Sequence, residues 1–146
     1  EGLQAQESTK YIGNLLEYSY LSLYELTKDY AQAKDTAHAI TERLRKSANG
    51  ISDSFKYLSW KVKLARLYRL NELHNESERV LREVLREFPA SVLAKKELVD
   101  LYIKTDRLDD ARQLDAQIMQ TWSNADNDYV HYQDYLKIRN GLGLSI

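Results

Sequence analysis

The chain contains no cysteine. Disulfides and cysteine-ligated zinc are therefore excluded, and the redox state of its compartment stays open. There are 1 proline and 5 glycines, too few for the many turns of a sandwich or barrel and suited to long helices with short connections. Neither sign of charge dominates: 21 Lys and Arg stand against 22 Asp and Glu, for a net charge of −1. That balance makes no case for nucleic acid or an anionic membrane as a partner. No apolar run approaches the roughly 18 residues that a membrane span needs. Glu1 is preceded by no methionine and followed by no signal-like segment, so a processed form or an excised piece of something larger is expected.

What is present suits a folded domain. Hydrophobic residues make up 43% and charged residues 29% of 146 positions, a balance for one folded unit spanning residues 1–146 rather than a disordered chain. The 11 tyrosines are the unusual count. Most fall at helical spacing, which makes packing their first explanation.

Taken in order, the apolar spacing predicts seven helices. Ser8 caps a first helix to about Lys28, with Ile12, Leu16, Tyr20, Leu23 and Tyr24 on one stripe. Asp29 and Tyr30 break it. A second helix runs to about Lys46, with Ala33, Ala37 and Ile40 inward and Arg43, Arg45 and Lys46 near its negative end. Ser47 to Gly50 reads as a loop, and Ser52 caps a third helix to about Leu70. Asn71 to Asn75 is a turn, and the fourth helix stops at Glu87 ahead of Pro89. A fifth spans Ser91 to Lys104. Asp106, with Asp109 three residues on, opens a sixth that ends near Trp122. Asn124 to Asn127 is loop-like with Asp126 as a cap, and a seventh helix from Asp128 to Asn140 is ended by Gly141 and Gly143. No segment alternates with a period of two, so no strand is expected.

The hairpin Trp60 to Pro89 recurs. Leu64 and Leu98, Tyr68 and Tyr102, Ser77 and Ala111, and Val84 and Ile118 all share one spacing of 34 residues. Tyr24 and Tyr68, Tyr30 and His74, Ala33 and Ser77, and Ile40 and Val84 share a spacing of 44, the same unit with a ten-residue insertion. The last helix keeps register through Leu98 to Tyr132 and Tyr102 to Leu136. With a helix-turn-helix unit of that length, the chain resembles the tetratricopeptide repeat family. Trp60, Leu64-Ala65, Tyr68, Ser77, Leu81, Val84 and Pro89 carry the resemblance in the central unit. Leu98-Val99, Tyr102, Ala111 and Ile118 carry it in the third, and Tyr20-Leu21, Tyr24, Ala33, Ala37 and Ile40 in the first. The motifs are degenerate. Trp60 stands one residue early, with Lys61 in its place. The glycine after the leucine is absent from every unit, and Asp115 holds a site that is usually apolar. The resemblance implies an all-α, α-solenoid fold: a right-handed superhelical stack of about three hairpins plus a C-terminal capping helix. Its repeats cover about 14–47, 58–91 and 92–125, with an insertion at 48–57 and the capping helix at about 126–140. Each hairpin has an apolar face too large to bury alone, which is why such units stack.

No constellation points to catalysis. His38, His74 and His131 lie in different predicted helices, and no phosphate-binding, zinc-protease or nucleophile-elbow motif occurs. Asp106, Asp109 and Asp110 read as helix-start charges, interrupted as a calcium loop by Arg107 and Leu108. Asn75-Glu76-Ser77 has the form of a glycosylation acceptor, but Ser77 falls on a packing position. The expectation is no enzyme, no cofactor and no metal. Asp115, at the predicted seam, needs a partner if buried; Lys137, Arg139 or a tyrosine hydroxyl could supply one.

The resemblance implies instead that the first helix of each hairpin lines a concave groove for a protein or peptide. The residues at that phase are Tyr18, Ser22 and Glu25, then Ser59, Val62, Lys63, Arg66 and Arg69, then Leu93, Lys96, Asp100 and Ile103, then His131 and Asp134. Lys63, Arg66 and Arg69 share one helix face and suit an acidic segment or a terminal carboxylate. Glu or Asp from a neighbouring unit could equally neutralise that face. The groove asparagines of the chaperone-binding carboxylate clamp are missing, so chaperone binding is not expected. A different reading is a structural or oligomerisation scaffold, for which Leu142, Leu144 and Ile146 form an apolar tail.

Overall fold

The structure, a computed structural model, describes residues 16–47, 51–123 and 130–143. Among the described residues it is all-helical, with seven α-helices packed pairwise and no strand. They are α1 at 16–26, α2 Tyr30–Ser47, α3 Ile51–Leu70, α4 His74–Glu87, α5 Val92–Lys104, α6 Leu108–Thr121 and α7 Val130–Arg139, followed by a single 3-10 turn, Asn140–Leu142. Predicted boundaries agree closely in the middle of the chain. The predicted cap Ser52 lies inside α3 rather than ahead of it, because that helix already includes Ile51. The turn predicted for Asn71 to Asn75 is shorter, since α4 begins at His74. Ser8, Ile12, most of the 47–50 loop, Asp126, Leu144 and Ile146 lie outside the described residues.

One turn geometry recurs three times. Lys28, Glu72 and Asp106 have positive φ, at 59°, 61° and 60°, and they stand 44 and then 34 residues apart. Around each, the same backbone bonds form in register. Thr27, Asn71 and Thr105 N–H donate to Leu23, Leu67 and Leu101 C=O; Lys28, Glu72 and Asp106 N–H donate to Glu25, Arg69 and Ile103 C=O. Asp29 and Arg107 N–H close back onto Tyr24 and Tyr102 C=O at 2.8 and 2.7 Å. This is the left-handed helix ending that satisfies orphan carbonyls, here built without glycine. It corrects the reading of Asp106 as the cap of α6. The capping position is Arg107, whose side chain makes no capping bond, while Asp106 supplies the left-handed residue that ends α5.

The chain divides into two compact units, Glu1–Glu72 and Leu73–Ile146. In the first, Leu21, Ala33, Ala37, Ile40, Leu64 and Leu67 form the core, with Tyr18, Tyr24, Tyr30, Leu44, Trp60 and Tyr68 packed against it. Ala33 and Ala37 are fully buried; small residues there let α2 approach α3 closely. Asn71 ties the end of α3 to the start of α2, its Nδ2 donating to Tyr30 C=O at 2.8 Å and Leu67 C=O at 2.7 Å. Of the stripe expected on α1, Tyr24 packs against this core and three other members do not. Leu16, Tyr20 and Leu23 are each about half exposed, whereas Leu21 is buried at 2%. Leu64, the register equivalent of Tyr20, has the α1–α2 pair to pack into; Tyr20 has no described hairpin in front of it.

In the second unit α5 packs against α4, α6 and α7. Ser77, Val80, Leu81 and Val84 recur at helical spacing and put one face of α4 in the core. Phe88 ends the helix one residue before Pro89. Ser91 caps α5, its Oγ accepting from Ala94 N–H at 3.3 Å. The register pairs Leu98 and Tyr102, and Ala111 and Ile118, are all buried. Ser77 is buried as well, at 1%, at the packing position expected for it. Leu142 is also buried, so the C-terminal apolar segment does not begin as a loose tail. Its turn is ended by Gly143 in the left-handed region, φ 68°.

Candidate functional site

Within the first unit, α1 and α3 bring together four of the groove residues expected from the sequence: Tyr18, Ser22, Lys63 and Arg66. Tyr18 stacks on Trp60, with ring centroids 5.3 Å apart and planes 19° from parallel. Lys63 Nζ lies 5.7 Å from the centre of the Trp60 ring. Glu25 binds Lys63 at 3.1 Å and reaches Arg66 only at 3.9 Å. The Ser22 hydroxyl donates to Tyr18 C=O and so serves its own helix. The result is an aromatic platform bordered by two cations that share one carboxylate.

The neutralising carboxylate anticipated for this basic face is therefore present, supplied by Glu25 from the neighbouring hairpin. Its hold is partial. The Lys63 and Arg66 side chains keep 31% and 41% of their exposure and Glu25 keeps 28%. Arg69, the third cation of the row, is half-buried. Trp60 was not singled out as a site residue. Its signal was the displacement by one position from where the resemblance places a large residue. One residue is about 100° around a helix, which sets the indole against Tyr18 at the edge of the core. Lys61 takes the inner position, buried at 8%, with its ammonium 5.3 Å from the centre of the Tyr57 ring.

In the second unit, Lys96 and Asp100 lie half-buried on α5 and His131 lies exposed on α7. Asp100 pairs within its own helix with Lys104 at 3.7 Å. Leu93 is exposed on α5 and Asp134 on α7, while Ile103 faces Gly141, where a Cβ would meet its Cγ2 at 3.0 Å. That close approach removes Ile103 from a free surface.

Two polar networks in this unit serve the fold. Asp115, 4% exposed, accepts from the Tyr135 hydroxyl at 2.5 Å and from Arg139 Nε at 2.8 Å. Both partner types anticipated for it are used, Arg139 rather than Lys137 being the cation. Burial, then the bond to Asp115, pushes the Tyr135 phenol well above its ordinary range. Trp122 meets Tyr132 and Tyr135 edge-on, at 5.7 and 5.9 Å. In the second network Glu78 accepts from Tyr102 at 3.0 Å, from Arg82 and from Arg107, and the Arg107 guanidinium lies 4.3 Å over the Tyr102 ring. Burial alone would raise the Glu78 carboxyl, but the bonds from Arg107, Arg82 and Tyr102 outweigh it and hold it below the usual carboxylate range.

His38, His74 and His131 lie on α2, α4 and α7. No group of three or more metal-ligating side chains converges among the described residues, and no helix there is long and apolar enough to cross a membrane. No family model, no curated protein and no solved structure matches the chain.

Proposed function

We propose that the chain is a tetratricopeptide-like protein-interaction module, wound as a right-handed stack, that binds an acidic peptide or protein segment along the first helices of its hairpins. On this reading it has no catalytic role. The repeated left-handed turn at Lys28, Glu72 and Asp106 supports the repeat assignment, because backbone geometry recurs with the period of the side chains. The binding reading rests on one observation: the stacked Tyr18–Trp60 pair bordered by Lys63 and Arg66 over a single shared carboxylate. Partly buried aromatic faces, already ordered by the core behind them, give a segment contact area at low entropic cost. Arg66, held only at 3.9 Å, keeps donors for a bidentate bond to a ligand carboxylate. A scaffold role is favoured by a separate observation, the half-exposed Leu16, Tyr20 and Leu23 on α1.

The test is selection of a random displayed peptide library on the wild-type chain, followed by fluorescence anisotropy of the selected peptides. Acidic sequences should be enriched, and Arg66→Glu should weaken their binding about tenfold or more, as expected for reversing a charge that contacts the ligand. Helicity should be unchanged, since Arg66 is exposed at 41% of its side chain. Selected peptides that bind Arg66→Glu as well as wild type would remove this face as the binding site.

A further inference from the structure

The charge distribution of α1 is inverted. Its exposed positions are Leu16, Ser19, Tyr20, Ser22, Leu23 and Leu26, and none carries charge. Both of its acids lie on the half-buried side and are paired, Glu17 with Arg43 and Glu25 with Lys63. A surface helix normally does the reverse, burying apolar residues and exposing charge. Leu16, Tyr20 and Leu23 are 52%, 51% and 52% exposed and Leu26 is 82% exposed. Among the described residues, half of the eight large exposed hydrophobic side chains are therefore on this one helix. The neighbouring hydroxyls are used locally: Ser22 donates to Tyr18 C=O and Thr27 to Leu23 C=O. The face offers a partner contact area and nothing that must be matched by charge.

We propose that this face pairs with the same face of a second copy, α1 against α1 in an antiparallel arrangement about a two-fold axis near Tyr20. Three features favour self-pairing. The stripe Leu16, Tyr20, Leu23 runs at spacings of four and three, so reversing the helix brings leucines onto leucines and leaves Tyr20 near the axis. No like charges meet across such an axis, because the face has none. The three stripe side chains, each about half exposed, offer roughly 300–350 Å² per copy, so a self-pair hides about 700 Å², the size of a weak, concentration-dependent association. No other described helix offers a comparable surface for head-to-tail assembly: α7 exposes His131, Gln133, Asp134 and Lys137 beside Val130.

The proposal is independent of the peptide reading. Tyr20 lies about 160° around the helix from Tyr18 and Ser22, so each face can be altered without the other. Sedimentation velocity over a wide concentration range tests it on three proteins: wild type, Tyr20→Glu and Tyr20→Lys. Tyr20 is half exposed and stacks only on the adjacent Tyr24 of its own helix, so both variants should keep wild-type helicity. Wild type should rise with concentration from the mass of one chain towards two. Each variant alone should stay at one chain, because like charges then meet near the axis. An equimolar mixture of the two should recover the dimer, a result that misfolding could not produce. A wild type that stays at one chain throughout overturns the proposal and leaves the face to another helix. Association that neither variant alters, or a mixture that fails to recover it, overturns it equally.

Discussion

Each unit holds a carboxylate against a cation from another helix, and the two pairs differ chiefly in burial. In the second unit Asp115 and Arg139 meet at 2.8 Å with side chains only 6% and 15% exposed. In the first, Glu25 meets Lys63 at 3.1 Å with side chains 28% and 31% exposed. The chemistry is nearly the same. Removing one member of the buried pair strands a charge in low dielectric, whereas the exposed pair returns to water at little cost. The buried Asp115 pair therefore holds a helix in place, whereas the exposed Glu25 pair can open at little cost. Asp115→Ala should accordingly cost about 3–5 kcal/mol, the largest effect expected here. Trp122, edge-on to Tyr135, lies in the same cluster, so its fluorescence in a Trp60→Phe background should report loosening of the second unit first. Equal costs for Asp115→Ala and Glu25→Ala would break the comparison.

Tyrosine hydroxyls sharpen the same contrast. Tyr135 donates to Asp115 and Tyr102 to Glu78, while Tyr18 and Tyr20 stack their rings on Trp60 and Tyr24. Tyr135→Phe should cost about 1.5–3 kcal/mol, the range for a bond to a charged group, read as a drop in the midpoint of urea unfolding. The raised Tyr135 phenol adds a pH signature. Its folded value lies above its unfolded one, so its contribution is complete below pH ~10 and is lost as pH rises further. Wild type should lose more stability than Tyr135→Phe across that alkaline range.

Glu78 gives the opposite sign. Its carboxyl is held below the ordinary value, so the unfolded chain binds the proton first. Its stabilisation is complete above the ordinary carboxylate range and disappears as pH falls from about 5 through the depressed value. Glu78→Gln should flatten the acid limb of the stability curve measured by urea unfolding at successive pH values. An unchanged limb would mean that the bonds from Arg107, Arg82 and Tyr102 do not favour the charged form.

The repeated turn should behave alike in both units. Lys28 and Asp106 hold left-handed backbone at φ 59° and 60°, a conformation that costs an L-residue roughly 1 kcal/mol and glycine almost nothing. Lys28→Gly and Asp106→Gly should each raise stability by about 0.5–1 kcal/mol, less what the more flexible unfolded chain regains. A gain in one unit and a loss in the other would show that the shared geometry hides unlike environments.

These turns also mark where the sequence was hard to read. Left-handed helix endings are usually announced by glycine, and Lys28, Glu72 and Asp106 give no such signal; only their common spacing does. Asp106 looked like a helix start because an aspartate beside an acid-rich first turn is ordinary capping chemistry. The buried faces of α2 and α4 were legible because one stripe on each is apolar and the opposite side is charged. On α1 both sides are apolar. Leu21 with Tyr18 and Tyr24, and Leu16 with Tyr20 and Leu23, fit a helical period equally well, and periodicity cannot say which one is inside. The basic row on α3 was legible as a row. That Glu25 would occupy it from α1 follows from packing in three dimensions, as does the stack of Tyr18 on Trp60.

Glu25 offers the smallest change in stability and the most direct test of what the exposed pair is for. Glu25→Gln keeps the shape of the side chain and removes its charge. Its ion pairs to Lys63 and Arg66 are more than a quarter exposed at every member, so the stability cost should be under about 1 kcal/mol. If Lys63 and Arg66 serve an acidic segment, the native carboxylate competes with it, and removing that competitor should tighten binding of selected acidic peptides several-fold. The gain should shrink as salt is raised, since both the competitor and the ligand act through screened charge. A neutral peptide should not notice the substitution. Weaker binding of acidic peptides to Glu25→Gln would mean that Glu25 orders the two cations for the ligand, making the exposed pair a preorganised part of the site.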